Sequence, residues 1–353
     1  MTIQCAKCKY YACHRGRPDA APDDCPMHGA FPAFGELYSE PERRRMAYQS
    51  AVVEGVGYGR WNRLREIGEF AERMGIRRIG MAYCPDMARE AVIAATYLRS
   101  HLLDVRLPPD ELDCNPIGQA NLFSRMQTQL NVIAGMCVGH EAVFTQSSQT
   151  PLTALVARDE RFCHNPAAAL YTADTYARAS LYRQRTGRRP TVFRGSDVDT
   201  LMEVSEELLP DKHGVWNRLE ETIEFACRLA VTHVGLSYCV GFRHEAKILT
   251  RVLEANGFHV TSVCCKSGAV PKEHLGIEDS QKVRPGQPEM MCNPLAQAEL
   301  LNREGVELAL VLGQCAGHDS ATIGHLKAPA VCLVVKDRVL AHNTVAALYR
   351  LEG

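Results

Sequence analysis

Residues 292–319 read CNPLAQAELLNREGVELALVLGQCAGHD, and residues 114–141 read CNPIGQANLFSRMQTQLNVIAGMCVGHE. Each stretch predicts a helix that begins at a proline, then a buried apolar strand, then a turn that holds one cysteine between two glycines. The two stretches align over their whole length at an offset of 178 residues. This agreement indicates an internal duplication.

The repeat extends beyond these two stretches. WNRLREIGEFAER at 61–73 matches WNRLEETIEFACR at 216–228 at an offset of 155, and the two copies align without gaps except at one place. Copy two holds 23 extra residues there, within 254–291. Strands alternate with helices in each copy, which predicts a parallel sheet covered on both faces. We expect an α/β fold in which two tandem Rossmann-like lobes form an intramolecular pseudo-dimer.

The repeat also predicts the domain boundaries. We expect a small cysteine-rich metal-binding module at 1–30, the first α/β repeat at 31–171, a linker at 172–215 and the second α/β repeat at 216–353. The length of 353 residues agrees with two or three domains.

Composition argues against several classes of protein. The formal net charge is -1 at pH 7, so the chain has no broad basic surface and we expect no nucleic-acid partner. No apolar run approaches the roughly 20 residues that span a bilayer, and the N-terminus lacks the apolar core of a signal peptide. We therefore expect no membrane partner and a cytoplasmic protein. Fifteen cysteines in a reducing compartment indicate metal binding or catalysis rather than disulfides.

The cysteines fall at matched junctions between strands and helices. In open parallel sheets, ligands bind beyond the carboxyl ends of the strands, so these thiols should meet at one edge of each lobe. They are Cys84, Cys114 and Cys137 in copy one, and Cys239, Cys292 and Cys315 in copy two. Copy two adds Cys264 and Cys265, where copy one has leucine and proline residues. We predict that all eight bind a cofactor.

Shells of soft thiolate ligands favour zinc or an iron–sulfur cluster. We therefore predict an iron–sulfur cluster, of the 4Fe-4S type, or zinc at these cysteines. His140 and His318 either join the ligands or only orient the turn.

A thiol nucleophile is the alternative. Both GMCVG and GQCAG match the G-x-C-x-G form of the nucleophile elbow, with Cys137 or Cys315 as nucleophile and His164 or His342 as base. This interpretation leaves the other matched cysteines without a role, so we favour the metal.

A second group of cysteines lies near the N-terminus. Cys5, Cys8, Cys13 and Cys25 fall within a segment too short to bury a core, so a metal would supply its folding energy. We predict a metal site here, with zinc and an iron–sulfur cluster both open.

The N-terminal cysteines and the motifs CNPLAQAELLN, GxCxGHD and KDRVLAHN resemble a bacterial and archaeal family of unknown function whose members are described as metal-binding proteins. The resemblance implies metal binding and no particular reaction. The residues to which it assigns a role are Cys239, Cys264 or Cys265, Cys292, Cys315, His318, Asp319, Lys336, Asp337, Arg338, His342 and Asn343. Copy one departs from the pattern, with Glu141 in place of aspartate and Arg158 in place of lysine.

A cluster held by three cysteines is also similar to the site of the thiouracil desulfidases, where such a cluster takes sulfur from the substrate. We therefore expect a metal-binding protein, with an enzyme of sulfur or redox metabolism as the leading interpretation. A zinc-dependent structural or sensory protein is the second, and a cysteine-nucleophile hydrolase or transferase is the third. The substrate would be a small anionic or sulfur-containing molecule, and the catalytic candidates are His318, Lys336, Asp337 and His342.

Overall fold

A computed structural model describes residues 3–23, 25–28, 31, 33–112, 114–175, 178–182, 192–212 and 214–351. The elements up to the middle of the chain are α1 (Phe34–Leu37), α2 (Pro41–Gly57), α3 (Arg63–Met74), β1 (Arg78–Ala82), α4 (Ala88–Ser100), β2 (Asp104–Arg106), α5 (Pro116–Arg125), β3 (Leu130–Ala134), α6 (Val138–Ser147), β4 (Leu152–Val156), α7 (Ala167–Tyr171) and α8 (Arg178–Leu181).

The remaining elements are α9 (Val198–Lys212), α10 (Arg218–Arg228), β5 (His233–Tyr238), α11 (Arg243–Ala255), β6 (His259–Cys264), α12 (Pro294–Glu304), β7 (Leu308–Leu312), α13 (His318–Ile323), β8 (Ala330–Val334) and α14 (Val345–Tyr349). Short 3₁₀ helices lie at Cys5–Lys7, Pro18–Ala20, Pro26–His28, Pro85–Met87, Asp110–Leu112, Val240–Phe242, Lys272–Leu275 and Asp279–Gln281. None of the described helices is both long and apolar enough to cross a membrane.

The strands form two four-stranded parallel sheets, ordered β2-β1-β3-β4 and β6-β5-β7-β8. Helices cover both faces, which confirms the predicted α/β fold of two tandem lobes. The strand order changes direction between the two central strands of each sheet, β1 and β3 in lobe one and β5 and β7 in lobe two. A crevice therefore opens beyond the carboxyl ends of these strands. The matched cysteines follow these strands.

Local signals in the sequence explain where the helices begin. Asn217 caps α10 by accepting from the backbone N–H of Glu220, whose side chain accepts in return from the backbone N–H of Asn217. Pro294 opens α12, and Asn293 caps it by accepting from the backbone N–H of Ala296. The cap of α12 therefore fixes the turn that carries Cys292.

Two helices cross between the halves of the protein. Helix α9 packs on α6 of lobe one, and α2 packs on α13 of lobe two. Ser205 and Ser50 lie at these contacts, 155 residues apart in the sequence. A Cβ atom at Gly139 would lie 2.1 Å from Ser205 Oγ, and one at Gly317 would lie 2.1 Å from Ser50 Oγ. A helix from each half therefore packs against the cysteine turn of the other half. Only glycine leaves enough space at both contacts.

Two buried arginines fasten the lobes together. The guanidinium of Arg63 donates to Asp319 of lobe two and to Thr153 Oγ1 of lobe one, at 2.9 Å from the latter. Arg218 donates to Glu141 of lobe one and, at 3.0 Å, to the carbonyl oxygen of Cys332 of lobe two. Both arginines are at most 1% exposed. Each ion pair joins the N-terminal end of a helix in one lobe to the site helix of the other.

We expect Gly139→Ala to lower stability by about 1–3 kcal/mol, because the added methyl group overlaps Ser205 in a packed contact. Gly68→Ala is the matched control, since its Cβ would meet only Leu98 Cδ2, at 3.6 Å, and alanine favours a helix. Thermal unfolding measures both variants. Equal melting temperatures for Gly139→Ala and the native protein would contradict this packing.

We expect Asp319→Asn to lower stability by about 3–5 kcal/mol, because it leaves the buried charge of Arg63 without its partner. Glu299→Gln breaks the exposed ion pair with Arg303 and should cost less than about 1 kcal/mol. Urea unfolding compares the two. A similarly small loss of unfolding free energy in both variants would show that the buried ion pair does not hold the lobes together.

Candidate functional site

Four cysteines converge at the carboxyl edge of the lobe-two sheet. Cys239 follows β5, Cys265 follows β6, Cys315 follows β7 and Cys292 precedes α12. All four side chains are buried, at 2–4% exposure. The Sγ atoms of Cys265 and Cys292 lie 3.8 Å apart. We call this group the lobe-two centre; it unites the three matched cysteines of copy two with one cysteine of the added pair.

Three cationic side chains contact these sulfurs. Lys336 Nζ lies 2.8 Å from Cys239 Sγ and 3.4 Å from Cys315 Sγ. Lys266 Nζ lies 3.4 Å from Cys292 Sγ, and Arg338 Nη2 lies 3.4 Å from Cys315 Sγ. The thiols of the lobe-two centre therefore face a concentrated positive charge, which favours thiolates in a buried place.

The pKa values of the four thiols diverge. A hydrogen bond from Cys265, followed by the charges of Lys336 and Arg338, outweighs burial and holds the pKa of Cys239 well below its ordinary value. The hydrogen bond from Cys265 and the charge of Lys266 lower the pKa of Cys292 to about 6. Burial raises the pKa of Cys315 to about 12. Cys239 and Cys292 are thus the groups that ionise first.

A carboxylate from the other half of the protein joins the lobe-two centre. Glu54 of α2 places Oε1 3.8 Å from Cys315 Sγ and Oε2 3.9 Å from Cys292 Sγ. Burial opposes its ionisation, but Lys266, Lys272 and other cations outweigh burial and hold its pKa well below the ordinary value. Glu54 is therefore an anion that balances part of the positive charge.

Sequence reasoning missed Glu54 and Lys266. Glu54 corresponds to Leu209 of α9 at the offset of 155, so the available signal was a charged residue present in only one copy. Lys266 follows the Cys264–Cys265 pair directly, so its place beside two predicted ligands was the available signal.

A cavity of about 820 Å³ opens beside Cys239. Its basic lining residues are His14, Arg15, Lys266, Lys272, Arg284, Lys336, Arg338 and His342, against the acidic Glu54 and Glu289. Its volume suits a small molecule, and its charge suits an anion. Lys272 and Arg284 come from the region that holds the 23 extra residues of copy two, so this region shapes the cavity.

The catalytic candidates occupy different places. His342 lines the cavity, and its Nδ1 accepts from the backbone N–H of Asp337 at 3.2 Å. Asp337 itself accepts from the backbone N–H groups of Arg63 and Leu340, at 2.9 Å each, so it holds the loop and the lobes together. His318 is buried, and its Nε2 has no hydrogen-bond partner within the part of the chain that the structure describes.

Two further residues assigned by the resemblance are structural in their contacts. Asp319 pairs with Arg63 across the lobes. Asn343 donates its backbone N–H to the carbonyl oxygen of Leu340 at 3.0 Å, within the same loop.

The matched cysteines of lobe one also meet. The potential ligand atoms of Cys84, Cys137 and His140 lie within 4.8 Å of one another, and all three residues are buried. Cys114 is exposed, and hydrogen bonds from Cys84 and His140 lower its pKa to about 5. His140 therefore lies among the cysteines as a potential fourth ligand.

The surroundings of this lobe-one group differ from those of the lobe-two centre. Arg158, which aligns with Lys336, pairs with Asp86 and Glu160, so its charge is already balanced. The positive charge that Lys336 supplies in lobe two is therefore not available to the lobe-one group, whose ligand atoms lie close enough to hold a metal ion.

The N-terminal cysteines lie against lobe two. Cys5, Cys8, Cys13 and Cys25 line a second cavity, of about 530 Å³, together with Cys264. Cys264 and Cys265 are neighbours in the chain but line different sites. All fifteen cysteines belong to the described part of the chain, and none of them forms a disulfide bond.

These features define a cysteine-rich α/β protein of two parallel-sheet lobes with clustered potential metal ligands. A family described as "Protein of unknown function (DUF1847)" matches residues 27–107, 104–155 and 182–333. These matches cover more than half of the chain, so the protein belongs to the DUF1847 family. The family description agrees with the resemblance in being of unknown function, and it names no metal.

An uncharacterized protein of Methanocaldococcus jannaschii is 43% identical over 132 residues, which are 37% of this chain and 66% of the relative. The chain thus spans just under two thirds of that relative's length.

Two solved structures from Pyrococcus horikoshii align more weakly. An aspartate racemase homologue is 13% identical over 78% of this chain and 99% of its own, with a TM-score of 0.20. Dph2 with a 4Fe-4S cluster is 12% identical over 82% of this chain and 92% of its own, with a TM-score of 0.24. TM-scores this low carry no argument about function.

We expect His342 to stay neutral between about pH 5 and pH 8, because burial, Lys336 and Arg338 lower its pKa to about 4. Lys336→Met removes one of the cations and should raise this pKa, by on the order of one unit. NMR titration of labelled histidine measures both, with His342→Asn identifying the signal. A midpoint near the ordinary histidine value in the native protein would contradict the prediction.

Proposed function

We propose that this protein binds an iron–sulfur cluster through the lobe-two centre and uses it on a small anionic substrate, as an enzyme of sulfur or redox metabolism. The observation that carries the proposal is the convergence of four buried thiols from separate turns, directly against three cations and beside a cavity. We place the protein in the cytoplasm, where a reducing environment keeps cysteines out of disulfide bonds, as all fifteen are here.

The donor set supports a thiophilic metal. Burying several ionisable thiols together is costly unless their charge is compensated, and a metal compensates it directly. The 3.8 Å between the sulfurs of Cys265 and Cys292 matches two thiolates on one tetrahedral metal atom, about 3.8 Å for metal–sulfur bonds near 2.3 Å, as at a zinc ion or at one iron of a 2Fe-2S cluster rather than at two corners of a 4Fe-4S cluster. Cys239 and Cys292 have lowered pKa values and thus lose little in becoming ligands.

The surroundings favour a cluster over a structural zinc ion. A structural zinc site is closed by its four ligands, whereas Cys239 borders a cavity of about 820 Å³. Charged N–H donors near cluster sulfurs tune the reduction potential, and Lys266, Lys336 and Arg338 are placed to do this. A bound cluster would supply electron transfer or a thiophilic iron, and the surrounding side chains would bind and orient the substrate.

The cations that line the cavity support an anionic substrate. Lys272 and Arg338 each contact Glu54 and also border the cavity, so an incoming anion would meet them beside the sulfurs. His342 presents a neutral imidazole to the same space, since its pKa is lowered to about 4. Because its Nδ1 accepts from the backbone N–H of Asp337, the Nε2–H of this neutral ring can donate a hydrogen bond to a bound group.

Zinc is the second candidate, and a specific observation favours it at the lobe-one group. Cys84, Cys137 and His140 form a compact set of thiol and imidazole ligands, with Cys114 as a neighbouring fourth thiol. A set of three cysteines and one histidine suits a structural or sensory zinc ion. The nucleophile alternative is weaker, because burial raises the pKa of Cys315 to about 12 and a reactive cysteine needs a lowered value.

Protein purified without oxygen should contain iron and acid-labile sulfide in matching amounts. We expect Cys292→Ser and Cys265→Ser each to remove the iron and sulfide of one cluster, because both sulfurs belong to the lobe-two centre. Cys163→Ser, at an exposed cysteine, is the matched control and should change nothing. Zinc without sulfide in the native protein would favour the second candidate, and full iron in both variants would exclude the lobe-two centre.

A further inference from the structure

We propose that Cys264 joins the N-terminal cysteines in a second thiolate-ligated metal centre, separate from the lobe-two centre. Five cysteines line one cavity of about 530 Å³: Cys5, Cys8, Cys13, Cys25 and Cys264. This inference goes beyond the proposed function, because it assigns Cys264 to another site and gives the N-terminal module a ligand from the α/β lobe. It does not depend on which metal the lobe-two centre binds.

The backbone fixes Cys5 beside Cys264. Strand β6 lies at the edge of its sheet, and Gln4 pairs in parallel with Ser262 of that strand. The N–H of Ser262 donates to the carbonyl oxygen of Ile3 at 2.8 Å, and the N–H of Ala6 donates to Ser262 Oγ at 3.0 Å. The N-terminal segment thus adds to the sheet edge two residues before the end of β6 at Cys264.

Further contacts hold the rest of the module in place. The N–H of Gly268 donates to Met27 Sδ at 3.3 Å, so the segment after Cys25 meets the loop after β6. Lys7 pairs with Glu254 of α11 at 2.5 Å. These contacts surround the cavity from three directions, so the five cysteines are held together by the fold of lobe two.

The end of β6 divides the cysteine pair between two sites. Cys264 is the last residue of β6 and Cys265 is the first residue after it, and the two side chains are also hydrogen-bonded to each other. Cys265 Sγ lies 3.8 Å from Cys292 Sγ in the lobe-two centre, whereas Cys264 borders the cavity of the N-terminal module. One peptide bond therefore separates the ligands of the two centres.

The chemistry of this cavity suits a cation. The five sulfurs share one cavity, so a thiolate formed there lies close to other thiols and needs a positive charge beside it. The lobe-two centre has Lys266, Lys336 and Arg338 against its sulfurs. At the N-terminal module a thiophilic metal, as zinc or as an iron–sulfur cluster, would supply the positive charge that stabilises the thiolates.

Metal and sulfide analysis of the full chain, purified without oxygen, tests the assignment. Cys264→Ser and Cys8→Ser should each remove the metal of one centre, and the double variant should lose no more than either alone. Cys264→Ser combined with Cys292→Ser should lose both centres. Cys163→Ser is the control and should keep all metal. Sulfide lost with the metal identifies a cluster, and zinc lost alone identifies a zinc site.

Two results would overturn the inference. Full metal in Cys264→Ser, with loss in Cys8→Ser, would show that the module binds its metal without lobe two. Cys264 would instead belong to the lobe-two centre under a different pair of results. The Cys8 and Cys264 double variant would lose more metal than either single variant, while the Cys264 and Cys265 double variant would lose no more than either single variant. Either result leaves the proposed function intact, since that function fails if Cys265→Ser and Cys292→Ser keep their metal or if the native protein holds zinc without sulfide.

Alkylation of the native protein gives a second measurement that needs no variant. Iodoacetamide should leave Cys8, Cys13 and Cys264 unmodified until a chelator or oxidant removes the metal, and then modify the three together. Mass spectrometry measures the extent of alkylation at each cysteine. Modification of Cys264 at the same rate before and after metal removal would overturn the inference even if the serine variants do not fold.

Discussion

The structure depends on two buried ion pairs that cross between the lobes, Arg63 with Asp319 and Arg218 with Glu141. Each arginine lies at the start of a helix in one half and each carboxylate lies on the site helix of the other. A buried charge left without its partner is strongly destabilising, so neither half can move away alone. The ion pairs thereby fix the positions of the two cysteine turns, which sit at the starts of the same site helices.

Charge compensation distinguishes the two halves. In lobe one, Arg158 is balanced by Asp86 and Glu160. In lobe two, Lys266 and Lys336 face sulfur atoms beside a wide cavity. The two lobes thus share one architecture but differ in the charge beside their cysteines, and the difference lies in residues that are not the same in the two copies.

The fold and the gathering of the matched cysteines could be predicted from sequence, because a repeated pattern of strands and helices implies parallel sheets and puts their carboxyl ends at one edge. Glu54 could not, because it lies outside the aligned motifs and reaches lobe two only through the crossing of α2. The division of Cys264 from Cys265 also escaped prediction, since it depends on the N-terminal segment pairing with the edge of β6. Both the position of Glu54 and the separation of Cys264 from Cys265 depend on contacts between segments that are distant in the sequence.

The crossing of α2 and α9 has a consequence for the origin of the protein. A single copy of the repeated unit cannot close its own cysteine turn, because the serine that packs on the glycine of that turn comes from the other copy. An ancestor with one copy would have needed a second identical subunit, and every change in it would have altered both sites at once. Two copies in one chain are free of that constraint, since Glu54 and Leu209 can differ and one half can specialise while the other keeps its shape.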